Sequence, residues 1–315
     1  MIARALAALA ALLLGGCAAV FTPPQTAELL ARPPQDLPPR VERDEVPFFP
    51  QTRDHCGPAA LATALADAGL PADPDRLADA VFLPSRGGSL QLEMLGGARR
   101  QGAVATRLPG ELEALLREVA AGHAVVVLQN LGLDWLPRWH YAVVVGYDLA
   151  ERELILRSGG TRREALPLRT FDYTWTRAGR WAVTVLPPDR LAATATEAQA
   201  QDAAVGFERA AQPAQAAVAY RTLLTRWPGN LLAGIGLGNS LNAAGDALGA
   251  AAAFDAVARR HDSAVAWINL ARLRMAAGDV PGARSAAEQA VRRAQAAEPS
   301  WRDAATATLD ATRQP

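Results

Sequence analysis

The sequence predicts an α+β domain over residues 46–188, followed by an all-α repeat domain over residues 191–315. In the first domain, segments with helical spacing come first and short β-branched runs follow, which is the α+β order. After Pro187 and Pro188 the composition shifts to Ala, Arg, Gln and Leu. There a Gly-Asp pair at 245–246 recurs 33 residues later, at 278–279, which indicates a repeated helical unit.

The first 45 residues precede these two predicted domains. Residues 1–17 combine one early charge, a short apolar core and small residues at the end. This is the pattern of a secretory signal, because a membrane-spanning helix needs about 20 apolar residues. Residues 18–45 are rich in proline and have little periodic pattern, so we expect an extended tether.

Four segments of the α+β domain are predicted helices. They cover residues 56–68, 75–82, 90–100 and 111–121; glycines follow the first and the last and end them. Between the second and third helices, residues 85–89 form a predicted loop with a Gly-Gly pair. Because no Lys-Ser/Thr follows the pair, we interpret it as a flexible loop near the cleft and not as a phosphate-binding loop.

Four short apolar runs, at residues 124–129, 141–147, 154–156 and 181–186, are predicted strands of an antiparallel sheet. The predicted chemistry lies at one helix start and one strand start. Cys56 opens the first helix, where unpaired N–H groups and the helix dipole favour the nucleophilic thiolate. His140 heads the second strand as the candidate base. Gln51, five residues before the cysteine, offers an amide donor for a developing oxyanion.

Gln51, then Cys-Gly-Pro-Ala-Ala at a helix start, then a distant His-Tyr-Ala-Val-Val-Val-Gly-Tyr strand resembles the papain-like cysteine peptidases of the bacteriocin-processing (double-glycine) type. The resemblance covers about residues 45–187. It implies a papain-like fold, peptide-bond hydrolysis, Cys56 as nucleophile and His140 as base. The family places Asp or Asn after the next strand, where this chain has Ser158. Ser158, or a group not yet located, is therefore expected to orient His140.

The remaining polar candidates are assigned structural roles. We expect His55 to have a structural or solvent-facing role, His123 and His261 to be surface residues, and Asp148 to serve in a turn. The histidines lack metal-ligand spacing, so no metal and no cofactor is predicted. Net charge is zero and no basic tract stands out, which argues against nucleic-acid binding.

Leu14-Gly-Gly-Cys17 resembles the bacterial lipobox, in which cleavage leaves the cysteine as a lipid-modified N-terminus. The resemblance implies a membrane-anchored lipoprotein of the outer membrane that faces the periplasm. An ordinary signal peptide with a chance cysteine is the alternative. With Cys17 lipidated, Cys56 has no disulfide partner in an oxidising compartment; it is either buried and inert or kept for its reactivity.

The C-terminal units, at about residues 197–230, 231–263 and 264–297, resemble tetratricopeptide repeats. Gly238, Ala250 and Phe254 match small and aromatic positions of the second unit, whereas Gly234 stands where the consensus has Trp. An Ala-rich bundle is the alternative. We expect the repeats to bind a protein partner or substrate, with exposed arginines such as Arg272 and Arg274.

These observations together predict a lipid-anchored periplasmic cysteine peptidase with a peptide or protein substrate and a partner-binding repeat domain. Two alternatives stay open. A thiol amidase or acyltransferase would use the same scaffold, since an acyl-enzyme can pass to water or to an amine. A catalytically inactive peptidase fold serving as a scaffold would fit the absence of Asp at the third position.

Overall fold

The computed structural model describes residues 22–50 and 55–313. They form two compact units. The first unit comprises residues up to 101 together with 107–185 and 192–195, and the second comprises residues 102–106, 186–191 and those from 196 onward. Neither unit is a single continuous segment of chain, which a division at Pro188 did not anticipate. No helix in the described parts is long and apolar enough to cross a membrane.

The helices of the first unit agree with the predicted ones and include two more. In chain order they are α1 (Pro24–Ala31), α2 (Cys56–Asp67), α3 (Pro74–Val81), α4 (Gln91–Arg100), α5 (Leu112–Ala120) and α6 (Leu168–Thr176). A short 3₁₀ turn, Pro84–Arg86, precedes α4. Sequence analysis missed α1 and α6.

The strands are β1 (Arg40–Glu42), β2 (Val104–Arg107), β3 (Val125–Asn130), β4 (Trp139–Asp148), β5 (Glu153–Ser158), β6 (Thr161–Pro167) and β7 (Ala182–Leu186). In the first unit they lie in the order β7-β3-β4-β5-β6, and β1 also pairs with β4. These pairings are antiparallel, as predicted. Each of β3 and β7 is buried along its whole length, as expected for central strands covered on two faces.

Helix α2 lies at the centre of the first unit. Its residues from Gly57 to Leu65 are buried, and it packs on β3, β4 and β5 as well as on α3 and α4. A helix surrounded in this way must be apolar on all sides, which explains its Ala-rich, weakly amphipathic sequence. The core therefore fixes the N-terminus of α2, and with it Cys56, against the sheet.

The predicted extended tether over residues 18–45 is wrong for its described part. Pro24 opens α1, where a missing N–H costs nothing because the first turn has no intrahelical acceptor for it. The Thr26 hydroxyl and N–H both donate to Asp172 of α6, at 2.9 and 3.0 Å. Strand β1 then pairs with β4, with Val41 opposite Tyr147. Residues 22–45 are part of the folded unit; residues 1–21, including the predicted signal peptide and Cys17, lie outside the described residues.

The second unit contains the three predicted helical pairs and a final helix. The pairs are α7 (Glu197–Glu208) with α8 (Pro213–Arg226), α9 (Leu231–Ala243) with α10 (Ala247–His261), and α11 (Ala264–Ala276) with α12 (Val280–Ala296); α13 (Arg302–Ala311) follows. Each pair packs on the next to form a small solenoid. Small residues also permit close packing of the two helices within a pair: a Cβ added at Gly238 of α9 would lie 2.5 Å from the ring of Phe254 of α10.

One polar residue connects the first two repeats. Asn230 caps α9 by accepting from the Ala233 N–H at 2.7 Å, and its amide donates to Glu197 and Gln201 of α7. Arg274, predicted to be exposed, is half-buried: it forms ion pairs with Asp255 and Asp279. It is therefore a structural residue of the third repeat.

Candidate active site

Cys56 is the first residue of α2 and is partly buried. No side chain caps this helix start, and Pro58 has no N–H to offer. The first-turn N–H groups and the positive end of the helix dipole therefore act on the thiol. This environment favours the thiolate, which is the nucleophilic form.

Close packing with a neighbouring loop fixes the position of Cys56. A Cβ added at Gly57 would lie 2.6 Å from the Ser89 Oγ, so only glycine lets this loop approach the start of α2. The Ser89 Oγ is buried and has no hydrogen-bond partner in the described chain, and its carbonyl accepts from the Tyr141 hydroxyl at 3.2 Å. The loop predicted to be flexible is thus fastened beside Cys56.

His140 is the second residue of β4 and lies opposite Gln129 of β3. Its Nε2 is 2.9 Å from the Oγ of Ser158, which is 8% exposed at the end of β5. This is the contact that the sequence predicted for an orienting residue. With Nε2 engaged by Ser158, Nδ1 is the ring nitrogen that remains for exchange of a proton.

Cys56 and His140 line one cavity of about 600 Å³. One wall is the loop of residues 86–91, and the other is formed by Leu131 and residues 138–141 at the base of the β3–β4 hairpin. The structure thus brings a thiol at a helix start and an imidazole on a strand to one cleft. Gln51 lies outside the described residues, and its proposed place in the oxyanion site stays a prediction.

The electrostatics of His140 favour its neutral form. Burial lowers the pKa of its imidazole below the ordinary value, the positive charge of Arg138 lowers it further, and the negative charge of Glu164 opposes the effect. A buried, neutral imidazole can act as a base toward the thiol. Burial and the neighbouring Cys56 also raise the pKa of the Tyr141 phenol, so Tyr141 stays protonated.

The other candidates have the following positions. His55 is exposed and packs edge-on against Phe82, and Asp148 accepts from the N–H groups of Ala150 and Glu151 in a turn, so both structural predictions are confirmed. The surface prediction for His123 is wrong: it is buried, with Nδ1 2.7 Å from the Glu118 carboxylate. That carboxylate, fully buried, also accepts from the N–H groups of Ala193 and Thr194.

Two residues near the site were not predicted from the sequence. Arg157, beside Ser158 on β5, is buried and donates to the carbonyls of Arg43, Asp44, Val46 and Arg162. Glu164 of β6 lies opposite Leu156, on the face of the sheet that carries Ser158. The period-two pattern of β6 could have placed Glu164, had the strand been recognised. In the described residues, no cluster of three or more His, Cys, Asp and Glu side chains could hold a metal.

Comparison with known proteins finds a family that is similar to the segment that carries this site. Residues 43–183 match the Peptidase_C39 like family. The match contains Cys56, His140 and Ser158 and covers less than half of the chain. This segment is therefore similar to C39 peptidases and has the corresponding antiparallel sheet with flanking helices. No curated protein matches the chain.

Solved structures similar to the chain divide between its two units. A protein described as a C39-like peptidase from Bacillus anthracis is 20% identical, with 47% of this chain and 97% of that chain covered and a TM-score of 0.40. The TPR domain of Sgt2 from Aspergillus fumigatus is 19% identical, with 37% of this chain and 76% of that chain covered and a TM-score of 0.34. The Yersinia enterocolitica type III secretion chaperone SycD, in complex with a peptide of the translocator YopD, is 17% identical. The match covers 37% of this chain and 91% of that chain, also with a TM-score of 0.34.

Proposed function

We propose that the chain is a cysteine peptidase in which Cys56 attacks a peptide carbonyl and His140 serves as base and then as acid. The observation that carries the proposal is that Cys56, at the start of α2, and His140, held by Ser158, line the same cavity. A match of the surrounding segment to the C39 peptidases supports the same chemistry.

The proposed reaction runs through an acyl-enzyme. His140 takes the Cys56 proton, and the thiolate adds to the carbonyl carbon to give a tetrahedral oxyanion, which the Cys56 N–H and the Gln51 amide stabilise. As the C–N bond breaks, the imidazolium gives its proton to the leaving amine. His140 then deprotonates water, the hydroxide adds to the thioester, and expulsion of the Cys56 thiolate releases the carboxylic acid product.

Ser158 supplies a neutral orienting group in place of a carboxylate or amide. It holds the imidazole in position but adds no negative charge to stabilise the imidazolium. This observation favours a second candidate, an inactive peptidase fold used as a scaffold. The two candidates differ in whether Cys56 is reactive and whether its reactivity depends on His140.

The deciding experiment is active-site labelling followed by intact mass. An electrophilic peptide probe, such as a peptidyl vinyl sulfone, should add once to the wild type at Cys56. Cys56→Ala should abolish labelling, His140→Ala should reduce it severely, and the matched control His261→Ala should label like wild type. Gln51→Ala should lower turnover by about 10²–10³-fold. Equal labelling of wild type and His140→Ala would favour the scaffold.

We further propose that Cys17 carries a lipid anchor that places the peptidase at the outer membrane, facing the periplasm. The support is the Leu14-Gly-Gly-Cys17 pattern after an apolar segment. Cys17→Ser should release the protein from the membrane fraction, whereas Cys56→Ser should not. Unchanged fractionation of Cys17→Ser would contradict the anchor.

The repeats are proposed to hold a protein partner or substrate. On α9, Leu232 and Asn239 are exposed seven residues apart and lie on one stripe of the helix. A photo-crosslinking residue at 232 in the full chain should capture a defined protein, and one at the exposed Asp303 should not. Identical crosslinks from the two positions would mean that the stripe has no specific role.

A further inference from the structure

The hairpin between β3 and β4 exposes an unusual amount of apolar surface beside the cleft. Within nine consecutive residues, five large apolar side chains are exposed, including two tryptophans at 78% and 56%: Leu131, Leu133, Trp135, Leu136 and Trp139. Single exposed apolar residues are common, but a contiguous group of this kind marks an interaction surface. We name residues 131–139 the apolar hairpin.

The apolar hairpin is held in shape by hydrogen bonds. The Oδ1 of Asn130, which is buried, accepts from the N–H groups of Gly132 and Arg138, each at 2.9 Å. Leu133 and Leu136 exchange two backbone hydrogen bonds of 3.1 Å across the tip. The exposed side chains therefore stand on an ordered backbone, and binding to them would require little further ordering.

This surface continues into the cleft. Leu131 and Trp139 of the apolar hairpin line the cavity that contains Cys56 and His140, and Leu90 lines it from the opposite loop. An apolar side chain next to the reacting carbonyl would be covered from two sides by these residues. Such a pocket discriminates against smaller side chains, because they bury less apolar area.

The cavity is also positively charged. Its described lining contains two arginines, Arg86 and Arg138, and no Asp or Glu. Neither guanidinium forms an ion pair with a carboxylate in the described residues. Their guanidinium groups are therefore available to a carboxylate of a bound ligand.

We infer that the cleft selects polypeptide substrates with a bulky apolar residue next to an acidic one, the apolar side chain lying against Leu90, Leu131 and Trp139 and the carboxylate against Arg86 and Arg138. A polypeptide is the occupant because the cavity contains the thiol and imidazole that the proposed function uses on peptide bonds. This inference rests on that proposed function for the substrate's chemical class.

The test measures binding without turnover, in full-length Cys56→Ala. The probes are four dye-labelled hexapeptides, capped at each end to remove terminal charges and identical except for a central pair: Leu-Glu, Leu-Gln, Ala-Glu or Ala-Gln. Fluorescence anisotropy gives each Kd. Leu should bind about tenfold more tightly than Ala. Glu should bind about two- to fivefold more tightly than Gln, and that preference should shrink as salt is raised.

Two variants separate the two preferences. Trp139→Ala, in the same background, should remove most of the Leu preference and keep the Glu preference, whereas Arg138→Gln should do the reverse. The controls are Leu92→Ala, whose side chain is 78% exposed and does not line the cavity, and Arg169→Gln, an exposed arginine that does not line it either. Each control should bind the four peptides like the parent.

Equal Kd values for the four peptides would overturn the inference. It would equally be overturned if Trp135→Ala and Trp139→Ala abolished binding to phosphatidylcholine–phosphatidylglycerol vesicles while peptide preferences stayed the same, because the hairpin would then contact membrane. Failure of the proposed function looks different. A wild type whose Cys56 resists the vinyl sulfone probe, but whose Cys56→Ala form keeps both preferences, would refute the peptidase and leave the binding specificity standing.

Discussion

Replacing Ser158 by Asp tests whether the third position of the site acts on His140 through charge. The Ser158 Oγ lies 2.9 Å from Nε2 and is nearly excluded from water, so a carboxylate there would stand within hydrogen-bond distance of the ring. At an effective dielectric constant of about 20, unit charges 4 Å apart attract by about 4 kcal/mol. Desolvation of the new carboxylate offsets part of this. We expect the pKa of His140 to rise by about 1–3 units.

The assay is an NMR pH titration of the imidazole ring. It is done in the Cys56→Ala background, because a titrating thiol would couple to the ring and obscure its pKa. Comparison with His140→Ala identifies the signal among the four histidines. Ser158→Asn is the matched control: it has the size of Asp without the charge and should shift the pKa much less.

An unchanged or lowered pKa in Ser158→Asp, in a protein that remains folded, would refute the contact between Ser158 and the ring. In the chain with Cys56 intact, Ser158→Ala should lower the labelling rate by about fivefold. That is the effect of one neutral hydrogen bond worth about 1 kcal/mol. His140→Ala should cost far more, since it removes the base itself.

Three further predictions follow from neighbouring residues. Glu164→Gln should lower the pKa of His140 in the same titration, because the variant loses the negative charge that offsets part of the effect of burial on this pKa. An unchanged pKa would exclude Glu164 from the site. Gly57→Ala should lower the free energy of unfolding by about 1–3 kcal/mol in a denaturant titration, since its Cβ would meet the Ser89 Oγ, while Gly160→Ala, with open space around it, should not. Burial raises the pKa of the Glu118 carboxyl, but its hydrogen bonds outweigh burial and lower the pKa overall. The ionised carboxylate therefore stabilises the fold at a pH above its ordinary pKa of 4.5, and this stabilisation is lost as the pH falls below that value. Glu118→Gln should remove this acid sensitivity from unfolding curves.

The positions of Cys56 and His140 could be predicted because their signals are local. Cys56 is followed at once by an Ala-rich helical segment, and His140 by a β-branched run. The residues beside each side chain therefore predict the helix or strand that carries it. Ser158 was found from its place after the next strand. The contact between Ser158 and His140 then follows from β4 and β5 being neighbours in an antiparallel sheet.

Two of the wrong predictions depend on contacts with residues that are distant along the chain. His123 looks like a turn residue, and nothing beside it indicates that Glu118 is fully buried and also holds residues 193–194. The proline pairs of residues 18–45 suggested an extended tether, whereas Thr26 is held by Asp172, 146 residues later. Only the Pro at the start of α1 was a local signal for that helix.

Strand β5 explains how a site without a third carboxylate keeps its geometry. Ser158 and Arg157 are consecutive, so their side chains leave the strand on opposite sides. The Ser158 Oγ contacts the His140 ring, while Arg157 donates to the carbonyls of Arg43, Asp44 and Val46. One strand thereby positions the imidazole and anchors residues 43–46. Positioning of this kind needs no added charge, which is consistent with a serine where relatives place Asp or Asn.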